Sequence, residues 1–308
     1  MRPLPRLTAC ACAAALVLLS CSSAPKKTDT VITVKLQADQ DTASGEGYYR
    51  QGRYELALQF FSNALTLFTS VDDGAGIVRS YNAVGKCYIA LGSLDQAEPL
   101  LLRARERARS EGPSLLFDSS IILGELYLAK GMPGEARTIL REAPAGAASH
   151  DPARAALLDH DLGTAEKNLG NTAEALRFFG LSLSINLSNK FFSEAASDYY
   201  MIASVYSRDG RYDDALANAS LALRYDKQVE DSPGIAKDLY ALGVIAGRKG
   251  DQASSFDYFQ RSYLVSTTLG FKDDMRKALT GLVAAADALG RTADADAYRK
   301  ALADLGAS

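Results

Sequence analysis

Gly45-Glu-Gly-Tyr48-Tyr-Arg-Gln-Gly52-Arg-Tyr54-Glu-Leu-Ala57-Leu-Gln-Phe-Phe61-Ser-Asn-Ala64 is the stretch that decides the fold. Gly52 stands after one run of helical period and just before another. It therefore ends a helix in the left-handed conformation that glycine adopts at little cost, and turns the chain back. Gly45, seven residues upstream, and Ala57, five downstream, leave no large side chain between the two helices, which lets them approach closely and antiparallel. Tyr48 and Phe61 supply the bulk that fills the remaining space.

The same arrangement recurs along the chain. Glycines at 52, 92, 131, 170, 210, 250 and 290 are spaced 39 or 40 residues apart, and a small residue follows each by five: Ala57, Ala97, Ala136, Ala175, Ala215, Ser255 and Ala295. Upstream by seven stand Gly45, Gly85, Gly124, Gly163, Ala203 and Gly243. Nine after the turn come Phe61, Leu101, Leu140, Phe179 and Phe259. The pattern predicts one helical hairpin per repeat. A hairpin cannot bury its apolar face alone, so the repeats stack and share a continuous core.

Composition agrees with an all-α chain. There is no Trp, Pro numbers only 9 among 308 residues, and hydrophobic residues make up 47%, too many for a disordered chain. The formal net charge of −3 argues against general nucleic-acid binding.

Small-x-x-Tyr, a glycine turn, an aromatic and then Ala-x-x-x-Phe-x-x-Ala resembles the tetratricopeptide repeat, which the first copy matches at each of those positions. The repeats exceed the usual length of about 34 residues and lack the terminal proline, which makes them similar to the lengthened kinesin-light-chain type. Glu166 stands where the fourth copy should have Tyr, and Arg299 where the seventh should have a large apolar residue, as in a polar end cap. The resemblance implies a right-handed superhelix (α-solenoid) of about seven hairpins over residues 41–305, with a concave and a convex side.

The chain begins with an export signal. Arg2 and Arg6 form a positive n-region, and Leu7 to Leu19 an apolar segment too short for a permanent membrane span. Leu18-Leu19-Ser20-Cys21 resembles the bacterial lipobox, which implies cleavage after residue 20 and acylation of Cys21. Several acyl chains give stable membrane association. Ser22, rather than Asp, resembles an outer-membrane address. Residues 21–40 are small and polar and are expected to form a flexible tether, with Val31-Ile32-Thr33-Val34 as a short strand or a segment against the first helix.

Little in the sequence points to catalysis. His150 and His160 are the only histidines and lack ligand spacing, so no metal is expected. Phosphate-binding glycine loops and nucleophile elbows are absent, and no cofactor is expected. Once Cys10 and Cys12 leave with the signal and Cys21 is acylated, Cys87 is the one remaining thiol, and it reads as a buried packing residue. Asp72-Asp73, Asp213-Asp214 and Asp273-Asp274 fall at turns or helix starts, where carboxylates favour the helix dipole.

In the tetratricopeptide family the inner helix of each hairpin faces the concave groove. Counting back from the turn glycines, the resemblance implies that Glu46, Tyr49, Arg79, Asn82, Lys86 and Glu125 line its first half. His160, Lys167, Tyr200, Ser204, Arg208, Lys237, Tyr240 and Arg248 then line its second half, which reads as basic and aromatic, suited to an acidic or carboxyl-ended peptide. The leading expectation is a lipid-anchored scaffold for protein partners in the cell envelope, not an enzyme. An accessory of a periplasmic solute transporter, a small-ligand-binding protein and a surface adhesin are the alternatives. Oligomeric state has no signature in the sequence.

Overall fold

A computed structural model describes residues 27–144, 146 and 151–307. Among them are fourteen α-helices and no strand, arranged as seven antiparallel hairpins. The hairpins are α1 (Lys27–Arg50) with α2 (Tyr54–Ser70), α3 (Gly74–Ala90) with α4 (Leu94–Glu111), and α5 (Pro113–Ala129) with α6 (Pro133–Arg141). They continue with α7 (Pro152–Asn168) and α8 (Thr172–Asn189), α9 (Phe192–Arg208) and α10 (Tyr212–Gln228), α11 (Ser232–Lys249) and α12 (Gln252–Leu269), and α13 (Lys272–Ala288) and α14 (Thr292–Ala307).

The seven turn glycines all have positive φ, from +69° at Gly290 to +95° at Gly250. In every hairpin the backbone N–H after the glycine donates to the carbonyl four residues before it, as from Ser93 to Tyr88 at 2.8 Å and from Asp251 to Ala246 at 2.9 Å. This bond closes the helix end in the manner of a Schellman motif. The small and large residues meet as their spacing predicts. A Cβ on Gly45 would lie 2.6 Å from the Phe61 ring, and one on Gly163 or Gly243 would lie 2.7 Å from Phe179 or Phe259. Ala203 and Ala219, which replace the pair in the fifth hairpin, are both buried there.

Inner helices pack on the inner helices of the next hairpin, α3 on α5, α5 on α7, α7 on α9 and α11 on α13, with no comparably extensive contact between successive outer helices. Crowding on that side makes it the concave one. The two departures from the repeat pattern have local explanations. Glu166 is 1% exposed and accepts from Arg141 at 2.7 Å and Asn171 at 2.7 Å, so an ion pair to the preceding hairpin takes the place of the Tyr. Arg299 is exposed and bonds both carboxylate oxygens of Asp287, giving the last helix the expected polar face.

The expected flexible tether over 21–40 requires correction. From Lys27 onward the chain is already α1, so neither a tether nor a strand exists in 27–40. Ala38 is fully buried against Ala64, Phe68 and Ile77, and Lys35 pairs with Asp73 at 2.9 Å. Because one small residue makes the buried contact while Leu36 points to solvent, the segment carries no apolar stripe to read. Cys21, the export signal, and His150 lie outside the described residues. No helix among those described is long and apolar enough to cross a membrane.

Candidate functional site

Two cavities open on the concave side. The first, of about 440 Å³, is walled by α1, α3, α5 and α7 and gathers Arg79, Asn82 and Lys86 with Glu46, Tyr49 and Glu125. Lys86 Nζ lies 5.5 Å from the centre of the Tyr49 ring, and the Arg79 guanidinium 5.8 Å from that of Phe68. Among the described residues neither cation has an ion-pair partner within 4.0 Å. Arg79 is exposed and Lys86 half-buried, while Arg154 in the same cavity pairs with Asp118 at 2.6 Å. Asn82 is 5% exposed; its amide donates to Ser119 Oγ at 3.0 Å, while its Oδ1 has no hydrogen-bond partner. Burial pushes the Glu125 carboxyl up, opposed by Lys86, and pushes Asp161 on α7 well up, reinforced by Glu125.

The second cavity, of about 840 Å³, lies between α9, α11 and α13 and includes Tyr200, Lys237 and Tyr240. Its charge differs from the basic surface read in the sequence. Asp226, Asp231, Asp238 and Asp274 line it beside only Lys237 and Lys277. Lys237 Nζ sits over the Tyr200 ring, 3.9 Å from its centre, and Lys277 pairs with Asp274 at 2.9 Å.

Arg208 and Arg248 do not belong to this cavity, which corrects their assignment to one basic site. Arg208 donates to the Lys167 carbonyl at 2.7 Å and Arg248 to Ser207 Oγ at 3.1 Å, so each ties its inner helix to the one before. Arg248 shares a face with Lys237 but is three helical turns away, roughly 16 Å along α11. His160 is likewise structural, its Nδ1 lying 2.7 Å from Oδ1 of the fully buried Asp198, which also accepts from Ser182 and Asn186. Ser204 lines neither cavity, and Lys167, pushed down by burial and then by Arg208 and Lys237, lies against Met201.

Among the described residues no three His, Cys, Asp or Glu side chains gather as a metal site. Cys87 is buried and its thiol is pushed up to about 11 by desolvation. The acids of the second cavity were missed in the sequence, although one signal was there. Asp238 stands four residues before Leu242 and seven before Ile245, both buried, so it is a charge on the apolar stripe of its helix.

Stacked helical hairpins with cavities along a concave inner face define a helical-repeat binding scaffold. The chain belongs to the tetratricopeptide-repeat family: profiles of that repeat match residues 41–110, 119–142 and 193–265, together more than half of its length. A search of curated proteins by sequence gives no match. Solved structures share the fold at low identity. The kinesin-light-chain TPR-like repeats of Podospora anserina match at 17% identity and TM-score 0.54, over 64% of this chain and 97% of theirs. The apo quorum sensor NprR from B. thuringiensis matches at 18% and 0.67, over 90% and 81%. A Rap protein complexed with Competence and Sporulation Factor matches at 15% and 0.64, over 91% and 79%.

Proposed function

We propose that this protein is a lipid-anchored scaffold of the bacterial cell envelope that holds a segment of a partner protein along its concave groove. The observation that carries the reading is the N-terminal cavity. There Arg79 and Lys86 face the groove without a salt bridge, although Glu125 lies near enough to feel Lys86, and the buried Asn82 keeps an unused acceptor. A bound chain would supply a carboxylate to the cations and a backbone N–H to Asn82, satisfying groups that the free protein leaves incomplete. A Rap protein alike in fold is known complexed with Competence and Sporulation Factor, which supports a binding use of this scaffold. The lipobox at Leu18–Cys21 and the following Ser22 support an acylated Cys21 and an outer-membrane position. In this reading the protein binds and positions, and carries no catalytic step of its own.

The test is affinity capture from crosslinked envelopes with wild-type protein and with the double variant Arg79→Ala/Lys86→Ala. A discrete partner should be enriched by the wild type and lost from the variant at unchanged helicity. Recovery of the same partners by both proteins would refute the groove assignment.

A further inference from the structure

In the C-terminal cavity a buried carboxylate has an oxygen to which no N–H or hydroxyl of the described residues donates. Asp238 is 1% exposed and its Oδ2 has no hydrogen-bond partner, although the residue lines the cavity. The equivalent position one repeat earlier is Asp198, also buried, but its carboxylate is fully occupied by His160, Ser182 and Asn186. A buried carboxylate without partners is costly, and the usual remedy is a proton or a cation.

Two further carboxylates converge on the same place. Asp226, at the end of α10, is 6% exposed and sits beside Asp238. Asp231 precedes α11 but makes no capping hydrogen bond. Asp73, Asp151 and Asp251, in the same position of their helices, accept from backbone N–H groups. Gly234 makes the convergence possible, since a Cβ there would collide with Oδ2 of both Asp226 and Asp231. In the free protein a proton shared between Asp226 and Asp238 relieves the repulsion. Burial first, and Asp226 second, push Asp238 up to about 8.

The walls select among cations. Tyr200 and Tyr240 offer aromatic faces, and Lys237 already lies over Tyr200, so the wall accommodates an ammonium of the chain's own. The acids do not gather in a metal-binding arrangement. An anion is disfavoured because four carboxylates face two ammonium groups, one of them paired to Asp274.

We infer that this cavity receives a basic side chain of the partner, its guanidinium or ammonium group seated against Asp226, Asp231 and Asp238 and beside Tyr200. The inference rests on the reading of the concave face as the partner's binding surface. The shared proton leaves to solvent as the cation enters, so charge is conserved.

Titration calorimetry on the full-length protein in detergent tests it with three probes: a blocked pentapeptide with a central arginine among alanines, the same peptide with glutamate, and agmatine. The arginine peptide should bind and the glutamate peptide should not. Asp238→Asn should weaken the arginine peptide at least tenfold, whereas Lys237→Ala, which removes a competing positive charge, should tighten it. Asp231→Asn, a half-exposed position, gives a second variant with little risk to folding. The inference is overturned if the arginine peptide fails to bind, if it binds Asp238→Asn unchanged, or if the glutamate peptide binds and Lys237→Ala abolishes it. Agmatine binding as tightly as the peptide would overturn the assignment to a partner side chain in favour of a small amine. Arg79→Ala/Lys86→Ala leaves this cavity intact, so failure here and failure of the N-terminal groove are separately visible.

Discussion

Phe259 makes the packing rule of this fold measurable. Its ring, 6% exposed, is held between the backbones of two successive inner helices. A Cβ on Gly243 of α11 would lie 2.7 Å from Cδ1, and one on Gly281 of α13 would lie 2.7 Å from Cε1. Carbon atoms rest about 3.5–4.0 Å apart, so a methyl group on Gly243 requires the ring to retreat, and Gly281 blocks the retreat. Gly243→Ala therefore sets two effects against each other. Alanine favours a helix interior by about 0.8–1.0 kcal/mol over glycine, while overpacking costs roughly 1–3 kcal/mol. The net is a destabilisation of about 1 kcal/mol. Gly47→Ala provides the control: it sits inside α1 with nothing within 4 Å of its Cβ, so only the helix gain of about 0.5–1 kcal/mol applies. Urea unfolding followed by circular dichroism measures both. Because repeat arrays can unfold piecewise, hydrogen exchange across α11–α13 should accompany it. Adding Phe259→Leu to Gly243→Ala should cost less than the two single changes summed. If Gly243→Ala stabilises as much as Gly47→Ala, the close approach of helix and ring is refuted.

Asp238 holds its proton up to about 8 in the folded protein, against an ordinary value of 3.8. Between those values the native state binds more protons than the unfolded one, so this group's contribution to stability falls as pH rises. The stability advantage of Asp238→Asn should therefore grow from pH 4 to pH 8 in thermal or urea melts, and an advantage that shrinks contradicts the assignment. Cys87, with its thiol pushed up to about 11, should resist thiol reagents at neutral pH until denaturant is added; rapid labelling of the native protein would show that its burial is wrong. Phe179→Ala should destabilise by about 3–5 kcal/mol, since the ring is fully buried over Gly163; a loss under 1 kcal/mol in urea melts would argue against that packing. Cys21→Ala should abolish incorporation of labelled palmitate and release the protein from the membrane fraction, and retention of both would exclude Cys21 as the anchor.

The seven hairpins, the left-handed glycine at each turn and the small residue facing a large one sixteen positions later were all legible in the sequence. Each is a relation at a fixed short offset within one repeat, where helix geometry leaves a single arrangement; seven copies report the turn glycine together and five the small–large pair. The polar end cap at Arg299 was legible for the same reason. Other features depended on contacts between repeats. The start of α1 is held by Ala38 on residues of α2 and α3, and no local period records that. Arg208 and Arg248 carried the charge expected of a groove, yet their distance along the helix axis gives them to the neighbouring inner helices. Asp226 and Asp238, on opposite sides of an inter-repeat turn, form one buried pair only because α10 and α11 pack together. The sequence by itself determined the scaffold, because the scaffold is built from local repeats. The stacking of several repeats decided the charge of each cavity, because its walls come from helices some 40 residues apart.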